Sequence, residues 1–157
     1  MSQEFIVRPL EGRDFEAVSK IQGAMVEEYQ DYLRRIKKQD RIRLCVNEAY
    51  FDYYVKTGSS FVAEIGHKVV GFVLSQTVNF MHGDERLLWL EDIAVLPQFR
   101  RREVCSALVP KILKYAKKQQ IRRVNATLNP NNEKWRGLLL RAGFSVKEWL
   151  IAYHEQL

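Results

Sequence analysis

The chain has 157 residues and a formal net charge of +6, and its 46% apolar and 28% charged residues are typical of one globular domain with its own core rather than of a disordered chain. It has no apolar run long enough to span a membrane, no signal-peptide pattern at its start, and too few cysteines for a disulfide framework or a zinc site. We therefore expect a reduced, cytoplasmic, single-domain protein over residues 1–157 with no metal site.

The spacing of apolar residues and the positions of glycine and proline predict elements in the order β-α-α-β-β-β-α-β-α-β. The predicted strands span residues 4–8, 60–64, 68–77, 87–95, 121–128 and 144–153, and the predicted helices span residues 14–32, 40–55, 102–119 and 131–141. A hairpin around Gly66 and His67 precedes a strand–helix–strand unit. The predicted fold class is therefore α/β, a mixed sheet covered by helices.

Positive charge is concentrated in two segments. Between Gln98 and Arg123 there are nine basic residues and one acidic residue, and residues 34–43 hold six basic residues and one acidic residue. Such clusters fit a polyanionic partner, either nucleic acid or a cofactor with several phosphates. The alternative is that they coat solvated faces of helices. Nucleic acid is disfavoured because no recognition motif is present and no aromatic residues are interleaved with the arginines.

The most informative segment is the predicted strand 87–95 and the loop that follows it. After Pro97, three consecutive arginines lead into the predicted helix 102–119. The N-terminus of a helix offers unpaired N–H groups and a partial positive charge, which attract anions. These residues therefore predict a strand–loop–helix unit that binds phosphate.

Five short motifs resemble, in this order and at these distances, the acyl-CoA-binding core of the GCN5-related N-acetyltransferase (GNAT) superfamily. They are Ile6-Val7-Arg8-Pro9, Val69-Val70-Gly71-Phe72, Leu90-Glu91-Asp92-Ile93-Ala94-Val95 followed by Pro97, Asn132, and Arg141-Ala142-Gly143-Phe144. The resemblance implies a mostly antiparallel sheet of about six to seven strands flanked by about four helices. It also implies an acetyl-CoA-dependent N-acetyltransferase, in which a primary amine of a small molecule or peptide attacks the thioester directly.

The resemblance implies a cofactor site along the same strand and loop. The backbone of Ile93, Ala94 and Val95 would pair with the pantetheine arm and stabilise the oxyanion. Asn132 would contact that arm, unless its side chain caps the following helix instead. The diphosphate would lie against Arg100, Arg101, Arg102, Glu103, Val104 and Cys105.

Glu91 and Asp92 are the candidate catalytic residues. A base must remove a proton from the acceptor ammonium before its nitrogen can attack, and a carboxylate can do this. Glu91 is our first choice and Asp92 our second. Because adjacent residues of a strand point to opposite faces, we expect only one of them to reach the site. The alternative is that one or both of them brace loops.

Three residues depart from the family pattern, which has two glycines in the loop and a tyrosine in the last helix. Glu103 and Cys105 occupy the glycine positions, where a Cβ or a carboxylate would hinder the diphosphate. Leu139 occupies the position of the tyrosine that protonates the departing thiolate. These departures keep open the alternative of a catalytically weakened binding or regulatory protein with poor CoA affinity. Cys105 is either a thiol of lowered pKa at a helix N-terminus or a buried small residue.

Aromatic residues are concentrated in the first two predicted helices: Tyr29, Tyr32, Tyr50, Phe51, Tyr53 and Tyr54. They either line an amine pocket through cation–π contacts or pack into the core. The three histidines, His67, His82 and His154, are too far apart in sequence to suggest a metal site. An edge strand and the aromatic segment 149–153 would suit a homodimer, and no feature favours a membrane partner.

Overall fold

The structure is a computed structural model that describes residues 4–37, 47–79, 86–128 and 132–148, with the side chains of Arg101 and Arg102 outside the description. The order of its elements is the predicted one as far as the last helix. The strands are β1 (Ile6–Pro9), β2 (Phe61–Ile65), β3 (Lys68–Asn79), β4 (Arg86–Val95) and β5 (Arg123–Ala126), and the helices are α1 (Phe15–Arg35), α2 (Glu48–Thr57), α3 (Val104–Lys118) and α4 (Glu133–Arg141). The mixed α/β class is confirmed.

The predicted closing strand is where structure and prediction differ. Residues 144–148 are not in a strand, and residues 149–153 lie outside the described part of the chain. The described sheet accordingly has five strands rather than six to seven. Most of the apolar and aromatic residues that favour the closing strand, from Trp149 onward, belong to the part that is not described. The start of the second predicted helix, residues 40–46, also lies outside the described residues.

The five strands lie side by side in chain order, β1-β2-β3-β4-β5. Strands β1 to β4 pair with one another in antiparallel fashion. Strand β5 is parallel to β4, and the chain reaches it through the crossover helix α3. The hairpin between β2 and β3 turns at Gly66 and His67, whose φ angles of 51° and 64° are the left-handed pair that a two-residue turn requires.

A bulge interrupts the pairing of β3 with β4. Leu74 is opposite Asp92, but Ser75 is opposite Leu90, so Glu91 is the extra residue on β4. A bulge of this kind bends the strand and redirects the side chains around it. It lies at the two carboxylates that the sequence singles out.

Helices cover the two faces of the sheet. On one face α1 and α2 bury Val18, Ile21 and Phe51 against Phe72 and Leu74 of β3. Gly71 faces the other side, because a Cβ built there would lie 3.3 Å from Val104 of α3 and 2.8 Å from the Val95 side chain. Neighbouring residues of a strand point to opposite faces, so α3 lies opposite α1 and α2.

Residues 1–127 and 128–157 form two compact units by their internal contacts. In the second unit, Asn132 caps α4: its side chain accepts a hydrogen bond from the Trp135 backbone N–H at 3.0 Å. The helix is followed by Gly143, whose φ is 90°. Leu138 and Leu139 are its buried residues. The prediction of one domain over the whole chain stays a prediction.

Within the described residues, no helix combines the length and the apolar character that crossing a membrane would require.

Candidate active site

One edge of β4 is open over its second half. β3 pairs with β4 along nearly its whole length, but β5 pairs only with residues 87–90. The Leu96 backbone N–H points back to β3, donating to the Val70 carbonyl at 2.9 Å. Because peptide groups alternate along a strand, those of Val95 and Ile93 point away from β3. In the described residues no strand pairs with this stretch. The Val95 carbonyl accepts from Arg100 Nε, and the N–H groups of Ile93 and Val95 have no partner there among the described strands.

The bulge turns both carboxylates of β4 toward the face that carries α1 and α2. Glu91 accepts hydrogen bonds from the Tyr54 hydroxyl of α2 and the Gln76 side chain of β3. Asp92 accepts one from Gln22 of α1 at 2.8 Å. The expectation that the two residues point to opposite faces is therefore wrong, and which of them reaches the acceptor stays a prediction. Strict alternation holds for an uninterrupted strand, and the extra residue in β4 breaks it.

Glu91 is exposed, and each of its carboxylate oxygens has a donor. The Tyr54 ring lies edge-on to Tyr53 at a centroid distance of 5.7 Å. The Tyr53 hydroxyl makes a long contact of 3.5 Å with the Gln76 side-chain oxygen. Glu91 thus links α2 to β3, which is the bracing role, and presents its charge at the surface at the same time.

Asp92 is more withdrawn from water than Glu91. Burial is the largest influence on its pKa and raises it above the ordinary value for aspartate, with the nearby charge of Glu91 acting in the same direction. The Gln22 amide and the Ile93 backbone N–H donate to the carboxylate and lower its pKa in part. Asp92 therefore holds a proton more readily than an aspartate in water does.

The loop between β4 and α3 keeps the backbone shape of a glycine loop without the glycine. Glu103 has φ 58° and ψ 16°, the left-handed conformation, at a position where the family pattern has glycine. A side chain in this conformation is strained by roughly 1–2 kcal/mol. The Glu103 side chain does not cap α3, and the first turn of the helix holds no acidic residue. The N–H groups of that turn are therefore in the arrangement that attracts an anion.

Arg100 connects the end of β4 to α1. Its Nε donates to the Val95 carbonyl at 2.9 Å, and its two terminal nitrogens donate to the carboxylate of Glu28 on α1 at 3.1 and 2.7 Å. The guanidinium is thus already paired with a carboxylate of the same chain. The backbone of Arg101 and Arg102 continues the same short turn, Pro97–Arg102.

The remaining predicted residues have plainer surroundings. Cys105 is half-buried, and burial raises the pKa of its thiol more than the nearby charge of Arg100 lowers it, so the alternative of a lowered pKa is wrong. Leu139 is 1% exposed, a core position in α4 rather than a proton donor. Asn132 caps α4, which is one of the two roles predicted for it; the other is contact with the pantetheine arm.

The aromatic cluster divides between core and surface. Phe51 is 1% exposed and packs edge-on against Phe15 at 5.3 Å. Tyr50 and Tyr53 are exposed, and Tyr29 stacks on Tyr32 at 6.2 Å. The aromatic residues of the two helices are therefore neither all in the core nor all available to line an amine pocket.

Two residues at the carboxylates, Gln22 and Gln76, were missed by the sequence analysis. Gln22 follows Ile21 on the apolar face of α1, and a polar residue at a core position is a signal that sequence alone can supply. Gln76 has no comparable signal, because its contact with Glu91 depends on the bulge. No cluster of three or more metal-ligating side chains occurs in the residues that the structure describes.

A separate cavity of about 510 Å³ lies away from the two carboxylates. Arg8 lines it, donating to Asp14 at 2.8 Å and to Glu64 at 2.7 Å. The charges of Arg8, Asp14 and Glu64 are therefore paired with one another. Glu91 and Asp92 are not among the residues that line this cavity.

The model of the acetyltransferase (GNAT) family matches residues 23–144, which is most of the chain. The chain belongs to that family. The predicted family resemblance and the predicted enzyme class, an N-acetyltransferase, are thereby confirmed. No curated protein sequence matches the chain.

Solved structures share the fold at low sequence identity. A possible acetyltransferase from Clostridium difficile 630 is 13% identical with a TM-score of 0.77, and 98% of each chain is covered. The aminoglycoside N-acetyltransferase AAC(6')-Iy in complex with CoA is 17% identical with a TM-score of 0.75, covering 100% of this chain and 98% of that one. The protein TTHA1254 from Thermus thermophilus is 21% identical with a TM-score of 0.69, and 96% of each chain is covered. These similarities show a common GNAT fold.

Proposed function

We propose that the protein transfers an acetyl group from acetyl-CoA to a primary amine of a small molecule or peptide, by direct attack of the amine on the thioester. The observation that carries the proposal is the open edge of β4, which begins at the two carboxylates. β5 stops pairing after Leu90, and Glu91 and Asp92 come next. The thioester carbonyl of acetyl-CoA and the ammonium group of the acceptor would meet at this point, where the backbone polarises the first and a carboxylate deprotonates the second.

The cofactor would lie along that edge. The outward-pointing peptide groups of Ile93 and Val95, on either side of Ala94, would pair with the pantetheine arm as a missing strand would, and an N–H there would stabilise the oxyanion. The diphosphate would occupy the first turn of α3 beside Arg100, Arg101 and Arg102, with Glu103, Val104 and Cys105 supplying the backbone. The bound CoA in AAC(6')-Iy supports acetyl-CoA as the co-substrate.

The reaction needs one base and a leaving group. A carboxylate of the Glu91–Asp92 pair accepts a proton from the acceptor ammonium, and the free amine then attacks the thioester carbon. Collapse of the tetrahedral intermediate breaks the C–S bond. Thiols titrate near about 8.5, so the thiolate is a tolerable leaving group even though Leu139 supplies no proton.

A small-molecule acceptor fits the surroundings of the carboxylates. The exposed Tyr53 and the polar side chains of Tyr54 and Gln76 border Glu91, and such a border suits a hydrophilic cation. Structural neighbours include aminoglycoside acetyltransferases, one of them in complex with sisomicin. The aminoglycosides therefore belong in the first set of amines to be tested.

A second candidate is the weakened binding protein. Glu103 in its left-handed conformation and the pairing of Arg100 with Glu28 favour it, because both oppose a diphosphate at α3. Under this alternative the fold would persist while acetyl-CoA affinity is poor.

Calorimetric titration with acetyl-CoA, followed by a thiol-release assay on a panel of amines, tests the proposal. The panel would contain sisomicin, a diamine and a lysine-containing peptide. We expect saturable binding and amine-dependent release of free thiol. Absence of binding at millimolar acetyl-CoA would contradict the proposal and favour the second candidate, whereas tight binding by the unmodified chain would count against that candidate.

A further inference from the structure

Gln22 is a buried polar residue for which the reaction described above has no role. It is 5% exposed and lies on α1 directly after Ile21, within the stripe that forms the core beneath the helix. A buried amide is costly unless it is hydrogen-bonded. Its Nε2 donates to Oδ2 of Asp92, 70 residues away in sequence, at 2.8 Å. The side chain that crosses from α1 to the sheet thus ends on one of the two candidate bases.

We propose that Gln22 is a positioning residue for acetyl transfer: its amide holds the Asp92 carboxylate at the start of the open β4 edge, so that Asp92 rather than Glu91 takes the proton from the acceptor. The inference rests on the proposed function and assigns the base within the same site.

The way in which each carboxylate is held favours Asp92. Both oxygens of Glu91 have donors, from Tyr54 and Gln76, and the residue is exposed to water. Asp92 is half-buried and stands directly before Ile93, whose peptide group begins the open edge. A carboxylate partly withdrawn from water holds a proton more readily than a solvated one, which suits a base that works near neutral pH.

Groups from four elements determine the charge around Asp92. β4 contributes Glu91, whose charge raises the pKa of Asp92, and α1 contributes the neutral amide of Gln22, which lowers it. α2 and β3 contribute the Tyr54 hydroxyl and the Gln76 amide, and both of these donate to Glu91. α3 packs on the opposite face of the sheet. Removing the Gln22 amide should therefore raise the pKa of Asp92 without altering the contacts of Glu91.

The proton transfers balance as follows. The acceptor ammonium gives one proton to the Asp92 carboxylate, forming the neutral acid and the free amine. The amine nitrogen forms a bond to the acetyl carbon, and the carbonyl electron pair moves to oxygen. When the tetrahedral intermediate collapses, the carbonyl reforms, the carbon–sulfur bond breaks and its electron pair leaves on sulfur. The nitrogen loses its second proton, which ends on the thiolate. Asp92 then returns its proton to water, leaving an amide and free CoA thiol.

Gln22→Met tests this role, because methionine keeps the volume of the side chain and removes the donor. The measurement is the pH profile of kcat/KM for the best amine in the panel. We expect the acid limb to move upward by about one pH unit, with roughly tenfold lower kcat/KM below the limb and little change above it. A merely structural role would lower kcat/KM at every pH and leave the limb in place. Gln76→Met, which removes a donor from Glu91 instead, is the matched control and should not move the limb.

A limb that moves in Gln76→Met and stays in Gln22→Met would overturn the inference and assign Glu91 as the base. If Gln22→Met does not fold, the pair Asp92→Asn and Glu91→Gln decides. Asp92→Asn should lose the acid limb and about 10²–10⁴-fold in kcat, whereas the limb should persist in Glu91→Gln; the reverse pattern refutes the assignment. A wild-type protein that releases no thiol with any amine contradicts the proposed function itself, so the two failures are distinguishable.

Discussion

Glu103 has a left-handed backbone conformation, with φ at 58°, which glycine adopts more easily than any other residue. Glu103→Gly should relieve strain of roughly 1–2 kcal/mol, of which the entropy that glycine adds to the unfolded chain offsets about 0.4–1 kcal/mol. We expect the Tm to rise by about 2–4 °C, measured by thermal unfolding. Acetyl-CoA should also bind more tightly in a calorimetric titration, because a carboxylate leaves the diphosphate site.

Glu103→Ala separates these two effects. Alanine removes the charge but keeps a Cβ in the left-handed conformation, so affinity should increase while the Tm does not. A Glu103→Gly variant that melts at or below the wild-type temperature would contradict the strain that the backbone angles imply.

Asp92 should reduce the stability of the fold at neutral pH. Its folded pKa is raised by burial, so the folded state binds the proton more tightly than the unfolded state. Its favourable contribution is present below the unfolded pKa of about 3.9 and is lost as the pH rises through the folded pKa. We expect Asp92→Asn to be more stable than wild type in urea unfolding at pH 7. The difference in unfolding free energy between variant and wild type should shrink toward pH 4. An Asp92→Asn variant that is less stable than wild type at pH 7 would contradict a raised pKa for Asp92 in the folded state.

At the scale of elements, the approach of α3 to the sheet depends on Gly71. A Cβ there would lie 2.8 Å from Val95 and 3.3 Å from Val104, on the strand and helix that bracket the cofactor loop. Gly71→Ala should cost about 1–3 kcal/mol in the free energy of unfolding, because a packed contact must open. Gly23→Ala in α1 is the matched control, with no atom within 4 Å of the new Cβ, and should stabilise the helix by about 0.5–1 kcal/mol. Equal effects at the two positions would contradict the close packing at Gly71.

The Arg100–Glu28 pair connects α1 to the loop before α3. Both side chains are close to half exposed, so the pair contributes about 1 kcal/mol or less. Glu28→Gln should release Arg100 for the diphosphate and tighten acetyl-CoA binding by up to about fivefold, most clearly at low salt. Glu27→Gln removes an equal charge from the next position and should have little effect. Weaker binding in Glu28→Gln would mean that Glu28 holds Arg100 in place for the ligand.

At the scale of the whole molecule, local patterns were sufficient to predict the order of elements. The Gly66-His67 turn, the cap at Asn132 and the strand before Pro97 all depend on residues close in sequence. The loop that binds phosphate in the family pattern was also recognisable from its arginines.

Features that depend on distant residues were not predictable in the same way. The bulge at Glu91 arises from the register between β3 and β4, and it decides that both carboxylates face α1 and α2. The donors Gln22 and Gln76 reach the carboxylates across 70 and 15 residues of sequence. Periodicity within one strand carries no information on such register shifts, which is why the predicted alternation failed there.

The central claim is that acetyl-CoA fills the open edge of β4. Amide hydrogen exchange with and without acetyl-CoA tests it most directly, since a ligand that pairs with backbone groups slows their exchange. The account predicts slower exchange at the amides of Ile93 and Val95 and of residues 104–106, with no change at Ala94 or in the β2–β3 hairpin. Saturable binding that leaves those amides unprotected would contradict it.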